Sequence, residues 1–226
     1  AAGFVSKPHF QRLLDYFLDE VDRAEIQIYL DTVVNLDLVR SLQPDCLIVA
    51  TGGVPRPLIL NDSTPHGHVV QATEVLATRE SLTGEVVVVG GGLVGLDVAE
   101  VLSTTADRVT IIEKGSRAGS VLEWNLCKMR LASLRHYGVN IMLQSQLIRC
   151  ERSAVIVCNP LEDEQRIQAD VLVLALGSVP DNPLPQLAGA LSCPQTFIGD
   201  CRNPAGLTEA LDQGRTAGRM SISHNA

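Results

Sequence analysis

A run of four valines leads directly into a group of glycines whose spacing is typical of phosphate binding. In EVVVVGGGLVG the glycines form a G-x-G-x-x-G pattern. The first permits a tight turn, the second lets a pyrophosphate approach the backbone, and the third lets a helix pack closely on the strand. The alternative interpretation is a glycine-rich turn in a structural sheet. We expect the pyrophosphate to lie against Gly90, Gly92, Leu93, Val94 and Gly95.

An acidic residue at the end of the next strand bears on which dinucleotide binds. Glu113 closes VTIIE, near the ~20-residue interval at which an acid binds the ribose hydroxyls. Its carboxylate can accept a hydrogen bond from a ribose 2′-OH but repels a 2′-phosphate, which favours NAD(H) over NADP(H). Lys114 and Arg117 follow at once, and either could accommodate that phosphate, so NADP(H) stays open as the less favoured cofactor.

Other residues with chemical potential have ordinary alternatives. His66 and His68 have no carboxylate or thiol at ligand spacing, so we interpret them as loop histidines and predict no metal site. Trp124 either packs on the protein or covers the nucleotide. The sequence contains no Ser/His/Asp or Cys/His arrangement, and we predict no catalytic residue, because cofactors would carry the chemistry.

Composition limits the partners and the compartment. The net charge of −8 and the pI near 5.1, with scattered basic residues, exclude nucleic acid and an anionic membrane surface as expected partners. No apolar run approaches the roughly 20 residues that a membrane-spanning helix needs. None of the six cysteines forms a close pair, so we expect reduced thiols and a cytoplasmic protein.

The elements that must position these residues alternate between strand and helix, which predicts an α/β fold with a parallel sheet. Helices are expected at 6–23, 36–42, 72–80, 93–104, 123–137 and from about 204, and strands at 26–30, 46–50, 85–89, 109–113, 140–144, 170–177 and 196–200. Between 147 and 169, LIRCE, AVIVC and EQRIQA have the rhythm of three antiparallel strands with tight turns. We therefore predict a Rossmann-like three-layer domain with an antiparallel β-meander.

Four motifs occur in a fixed order along the chain. They are ATGGVPR (50–56), VVVVGGGLVG (86–95), LALGSVPDN (174–182) and FIGDC (197–201). This order resembles the C-terminal FAD/NADH-binding region of the NADH:flavin oxidoreductases. That group of two-dinucleotide-domain flavoproteins includes the bacterial 2,4-dienoyl-CoA reductases and relatives of trimethylamine dehydrogenase. The resemblance covers essentially the whole sequence.

The resemblance implies roles for residues outside the glycine motif. Thr51, Gly52, Gly199 and Asp200 match positions of the flavin site, and Asp200 matches the aspartate that holds the ribityl chain. Its alternative role is to cap a helix. Gly177 matches a glycine near the nicotinamide. Asp97 matches an acid near the nicotinamide, and its alternative role is a solvated acid in the first turn of a helix.

The sequence departs from the family pattern because the first strand–GxGxxG–helix–strand unit, which binds the ADP half of FAD, has no counterpart here. A start without Met leads us to expect an internal piece of a longer protein. We assign 1–66 and 180–226 to an incomplete FAD-binding domain and 67–179 to an NAD(H)-binding domain. The incomplete domain should have an unpaired strand edge, should not retain FAD tightly, and could self-associate through its exposed surface.

We therefore interpret the chain as the NAD(H)-binding fragment of a flavin-dependent oxidoreductase that passes hydride from NADH to FAD. The isolated fragment is expected to be inactive, and its partners are the small-molecule cofactor and the rest of the parent chain, with its first FAD segment and an FMN barrel. One alternative is a fragment of a ferredoxin- or disulfide-type pyridine nucleotide reductase. Another is a non-catalytic nucleotide-binding or subunit-contact module.

Overall fold

The computed structural model describes residues 8–60, 65–78, 81–181 and 191–223. The helices are α1 Pro8–Arg23, α2 Leu36–Leu42, α3 Ala72–Thr78, α4 Leu93–Leu102, α5 Trp124–His136 and α6 Leu207–Ser223. The strands are β1 Leu47–Val49, β2 Gly53–Pro55, β3 Val69–Gln71, β4 Glu85–Val89, β5 Arg108–Ile112, β6 Asn140–Met142, β7 Gln146–Glu151, β8 Ala154–Cys158, β9 Glu164–Gln168, β10 Val171–Leu174, β11 Ser178–Pro180 and β12 Gln195–Phe197.

The five-stranded parallel sheet that carries the glycine motif has the order β3-β10-β4-β5-β6. Its centre is β4, which pairs with β10 on one side and with β5 on the other. Successive side chains of a strand point to opposite faces, so a strand covered on both faces needs apolar residues throughout. Val86 and Val88 pack in one apolar cluster, whereas Val87 and Val89 pack in another. The valine run is therefore explained by burial on both faces.

The two clusters define the layers on either side of this sheet. On one face lie apolar side chains of the helices, among them Val75 of α3, Leu96 of α4 and Leu134 of α5. The other face packs on the meander β7-β8-β9, through residues such as Leu147 and Val155. Helices, parallel sheet and meander make three layers. The predicted α/β, Rossmann-like class with an antiparallel meander is confirmed.

The chain divides into two compact units. The first contains Pro57–Gly177 together with the chain up to Glu20, and the second contains Val21–Arg56 together with the chain from Ser178 onward. In the second unit β1 pairs in parallel with β12, and β2 pairs antiparallel with β11. The assignment of these segments to NAD(H) and FAD stays a prediction.

The predicted strand at 26–30 is wrong. Residues 26–29 have no regular secondary structure, and the large apolar side chains here and just beyond are exposed. Leu30 is 80% exposed and Val33 is 88% exposed. A strand needs a neighbour to satisfy its backbone N–H and C=O groups, and none of the described strands pairs with this segment. The residues of IQIYL favour β structure, but β propensity alone does not form a strand.

The apolar face of α1 is also uncovered among the described residues. Leu14, Phe17 and Leu18 are 47%, 38% and 57% exposed. Within the described part of the chain, no helix is long and apolar enough to cross a membrane.

Candidate functional site

Two glycines of the motif are required by contacts within the protein. Gly90 has φ +106°, in the left-handed region, and a Cβ there would collide with the carbonyl oxygen of Ala175 on the neighbouring chain segment. A Cβ on Gly95 would collide with the carbonyl oxygen of Gly90, because α4 starts directly against the end of β4. Both residues are therefore glycine for reasons of packing and turn geometry.

Gly92 differs from them, because no contact with the described residues requires a glycine there. A Cβ on Gly92 would have no heavy atom within 4 Å, and its φ of −71° is accessible to any residue. It is the N-cap of α4, and no side chain caps this helix. The first hydrogen bond of the helix runs from Leu96 N to Gly92 O. The N–H groups of Leu93, Val94 and Gly95 precede it and have no acceptor within the helix. Such N–H groups at the start of a helix fit a pyrophosphate.

The carboxylate of Glu113 lies directly on the glycine loop. It follows β5, and its two oxygens accept hydrogen bonds from Gly91 N and Gly115 N, each at 2.6 Å. Its backbone is also fixed, since Glu113 N donates to Met142 O at 2.8 Å. The structure thus brings the predicted ribose acceptor to the predicted pyrophosphate loop. Each carboxylate oxygen keeps acceptor capacity for a ribose hydroxyl.

Gly91 was missed by the sequence analysis, although it connects the two parts of the site. Its N–H donates to Glu113, and its carbonyl accepts from Gly119 N at 2.7 Å. A Cβ on Gly91 would approach the Cβ atoms of Ala118 and Glu113 to 3.0 Å. The signal was present in the sequence, because G-x-G-x-x-G does not require a glycine at its second position.

The basic residues after Glu113 lie at the surface, and Arg117 contacts other residues of the protein. Lys114 and Arg117 are exposed. The Arg117 guanidinium donates to Ser120 O at 2.7 Å and lies 5.7 Å from the ring centroid of Trp124. Lys128 Nζ lies 4.6 Å from the same ring. Trp124 is half exposed, so its ring contributes more to the cation–π contacts with Arg117 and Lys128 than to packing in the core.

Asp97 lies at the junction of two helices. The prediction of a solvated acid is wrong, since its side chain is only 12% exposed and pairs with Arg130 of α5. Arg130 also bonds Glu100 at 3.0 Å, so one guanidinium joins two carboxylates of α4. The partner was not visible in the sequence because it lies in another helix. The role near the nicotinamide stays a prediction.

The start of α5 has a cap that the sequence analysis also missed. Glu123 is the N-cap, and its carboxylate accepts from Asn125 N at 2.9 Å and from Leu126 N at 3.1 Å. The hydrogen bond from Asn125 N, followed by that from Leu126 N, lowers the pKa of Glu123 below its ordinary value. An acid directly before a helical segment was the available signal.

The predicted flavin residues lie in the second unit. Thr51 Oγ1 donates to Asp181 O, and Asp181 N donates to Gly52 O at 3.1 Å. These hydrogen bonds join the A-T-G segment that follows β1 to the residue that follows β11. Gly177 ends the first unit, is exposed, and has open space where a Cβ would stand.

Gly199 and Asp200 form the start of a short 3-10 helix, Gly199–Cys201, that precedes α6. Gly199 N donates to Gln213 Oε1 of α6 at 2.8 Å. The Asp200 carboxylate accepts from Ala205 N at 3.2 Å, in the loop before α6. Asp200 therefore fixes this loop, and its second oxygen remains as an acceptor for a ligand hydroxyl.

His66 is a structural residue of the first unit. It is buried, Nε2 lies 2.9 Å from Ala169 O, and Nδ1 lies 3.2 Å from His68 N. No group of His, Cys, Asp or Glu suited to a metal ion occurs in the described ranges.

The family profile described as pyridine nucleotide-disulphide oxidoreductase matches residues 8–212. A bilirubin reductase from Mediterraneibacter gnavus is 26% identical over 95% of this chain and 33% of its own. An NADH oxidase from Thermoanaerobacter brockii is 28% identical over 95% of this chain and 34% of its own. A rubredoxin-NAD(+) reductase from Pseudomonas putida is 32% identical over 60% of this chain and 37% of its own. The chain thus spans about a third of the length of these relatives.

Solved structures share the fold. A 2-naphthoyl-CoA reductase matches with a TM-score of 0.76 at 24% identity, covering 88% of this chain and 30% of the other. A histamine dehydrogenase from Rhizobium sp. 4-9 matches with a TM-score of 0.81 at 18% identity, covering 92% of this chain and 35% of the other. The cofactor prediction, NAD(H) with FAD in the complete enzyme, agrees with these relatives.

Proposed function

Because the chain belongs to the pyridine nucleotide-disulphide oxidoreductase family, we propose that its first unit is the NAD(H)-binding part of a flavin-dependent oxidoreductase. The observation that carries the proposal is Gly92. The part of the chain that the structure describes does not need a glycine there, whereas a pyrophosphate approaching the start of α4 does. Glu113, fixed beside this loop, would bind the ribose hydroxyls.

The residues of this chain bind and orient, and NAD(H) with FAD supplies the hydride chemistry. Gly90 and Gly95 let α4 begin close to the sheet, so that the N–H groups of Leu93 and Val94 face the pyrophosphate. The Glu113 carboxylate selects a ribose with a free 2′-OH. Gly177 leaves room at the nicotinamide end, and Thr51, Gly52, Gly199 and Asp200 would contact FAD in the complete enzyme.

The finer assignment is to the NADH:flavin oxidoreductases that resemble 2,4-dienoyl-CoA reductase. The order of the four motifs supports it, as does the length of the relatives, about three times that of this chain. A ferredoxin- or disulfide-type reductase is the second candidate, favoured by relatives such as the rubredoxin-NAD(+) reductase. In either case these residues work as part of a longer enzyme, in the cytoplasm, and are inactive alone.

Calorimetric titration with NADH, applied to two glycine variants, tests the nucleotide site. Gly92→Val places its side chain in open space, so the variant should fold as the parent does and lose NADH binding. Gly95→Ala forces a Cβ into the Gly90 carbonyl and should destabilise the first unit by about 3 kcal/mol or more. Gly214→Ala, in α6, is the control, because a Cβ there has equal space and the residue belongs to the second unit.

The outcomes separate a cofactor role from a structural role. Saturable NADH binding by the parent chain and by Gly214→Ala, with loss in a folded Gly92→Val, supports the proposal. Full NADH binding by Gly92→Val would contradict it, because Gly92 would then not lie against the pyrophosphate. Absence of NADH binding by the parent chain would favour the non-catalytic subunit-contact module.

A further inference from the structure

We propose that Trp124 is a specificity-determining residue: it holds the Arg117 side chain in a position where it does not serve a 2′-phosphate, which keeps the site selective for NAD(H). The inference rests on the proposed NAD(H) site and deepens it. It addresses why Arg117, one of the two basic residues that follow Glu113, does not make the site accept NADP(H). Trp124 acts through Arg117, and is therefore a positioning residue.

The backbone of the segment from Glu113 to Gly119 is fixed at both ends. Gln144 N donates to Gly115 O at 2.9 Å, and Gly119 N donates to Gly91 O at 2.7 Å. Ala118 is fully buried, and its carbonyl lies 3.3 Å from Cys127 Sγ. Arg117 stands between these anchored residues. The backbone therefore holds its place, and only the side-chain rotamer decides where the guanidinium points.

Two contacts fix that rotamer. The guanidinium donates to Ser120 O at 2.7 Å and faces the Trp124 ring at 5.7 Å. The ring is itself fixed in α5, whose N-terminus is capped by Glu123. Lys128 Nζ lies 4.6 Å from the centroid of the same ring and makes a second cation–π contact with Trp124. Arg117 and Lys128 are thus both engaged with Trp124.

The Glu113 carboxylate makes a second, separate contribution to the selection of NAD(H) over NADP(H). Its carboxylate is held by Gly91 N and Gly115 N, so it does not swing away to admit a 2′-phosphate. A bound NADP(H) would therefore meet a fixed negative charge while the Arg117 guanidinium is held by Ser120 O and the Trp124 ring. Removing the Trp124 ring releases Arg117 and leaves Glu113 unchanged, which separates the two contributions.

The test is a pair of calorimetric titrations, with NADH and with NADPH, on the full chain and its variants. Trp124→Ala should raise the ratio of NADPH to NADH affinity by about two- to fivefold, the amount expected for loss of an exposed cation–π contact. Trp124→Phe keeps an aromatic face and should stay near the parent ratio. Met129→Ala, an exposed apolar residue of α5, is the matched control.

The double variant Arg117→Ala/Trp124→Ala identifies the source of any gain. The proposal requires that the gain in NADPH affinity disappear when Arg117 is also removed. An unchanged ratio in a folded Trp124→Ala that still binds NADH overturns the inference and leaves the NAD(H) site standing. An equal gain in the double variant also overturns it. Failure of the parent chain to bind either nucleotide removes both proposals.

Discussion

At the scale of single residues, the Glu113 side chain joins the two loops of the candidate site. Both carboxylate oxygens accept from backbone N–H groups, at Gly91 and Gly115, on the two loops that form the site. An amide can accept only one of these bonds, and its NH₂ group would oppose the other N–H. The loop therefore depends on a charged carboxylate and not simply on a polar side chain.

We expect Glu113→Gln to weaken NADH binding by about tenfold, since one bond to a charged acceptor is lost and the ribose meets a weaker acceptor. NADPH binding should fall less, because the repulsion of the 2′-phosphate is also relieved. Titration with both nucleotides gives the two values. An equal loss for NADH and NADPH would show that Glu113 supports the loop without selecting the cofactor.

Residue types and spacing were enough to predict the glycine motif and its acid. Gly90, Gly95 and Glu113 carry strong local signals, because few other residues suit a left-handed turn, a close helix–strand contact or an acidic strand end. The Asp97–Arg130 pair and the contact of Arg117 with Trp124 carried no such signal. They depend on how separate elements pack, and neither periodicity nor spacing reports side-chain direction across elements.

At the scale of elements, α5 is positioned by two electrostatic features. Glu123 caps its N-terminus, and Arg130 joins its middle to α4 through Asp97 and Glu100. Its apolar contribution is modest, with Cys127 and Leu134 as its buried residues. Polar contacts therefore matter more for α5 than for α4, which is largely buried.

The Glu123 cap should make part of the stability of the first unit depend on pH. The pKa of Glu123 is lowered in the folded protein, so its contribution is complete above the ordinary glutamate pKa of about 4.3 and is lost as pH falls through the lowered value. Denaturant unfolding of the parent chain and Glu123→Gln should differ at neutral pH and converge in acid. A difference that persists at the lowest pH would contradict the capping role.

Removing Arg130 should destabilise the first unit strongly. Asp97 and Arg130 are 12% and 14% exposed, so Arg130→Met takes the cation away from a largely buried carboxylate, at a cost of about 3 kcal/mol. Glu100→Gln is the control, since Glu100 is 56% exposed and its pair should contribute less than about 1 kcal/mol. Asp97→Asn in the Arg130→Met background should recover stability, and additive losses in the double variant would contradict direct pairing.

At the scale of the whole chain, the two units differ in completeness. The first has a sheet of five strands covered on both faces, whereas the second has only pairs of strands in its described part. The strand predicted at 26–30 does not form for the same reason, the small number of strands described in the second unit. Its sequence has β propensity, but the described strands offer no neighbour, so tertiary context decided the outcome.

We expect the isolated chain to self-associate as its concentration rises. The edge of β1 opposite β12 has no partner among the described strands, and Ile28, Leu30 and Val33 are exposed nearby in sequence. The double variant Leu30→Lys/Val33→Lys should reduce association without lowering stability, because these side chains are 80% and 88% exposed. Sedimentation velocity over a concentration series measures it, and a parent chain that stays monomeric would contradict the expectation.

Trp124 has one more consequence, because it is the single tryptophan of the whole sequence. The ultraviolet emission of this protein under selective excitation therefore comes from one indole, and that indole contacts two cations, one of which, Arg117, lies in the loop after Glu113. A reduced nicotinamide absorbs in the range where indole emits. The native chain thus carries an internal optical probe, and its quenching reports events at this loop without any added label.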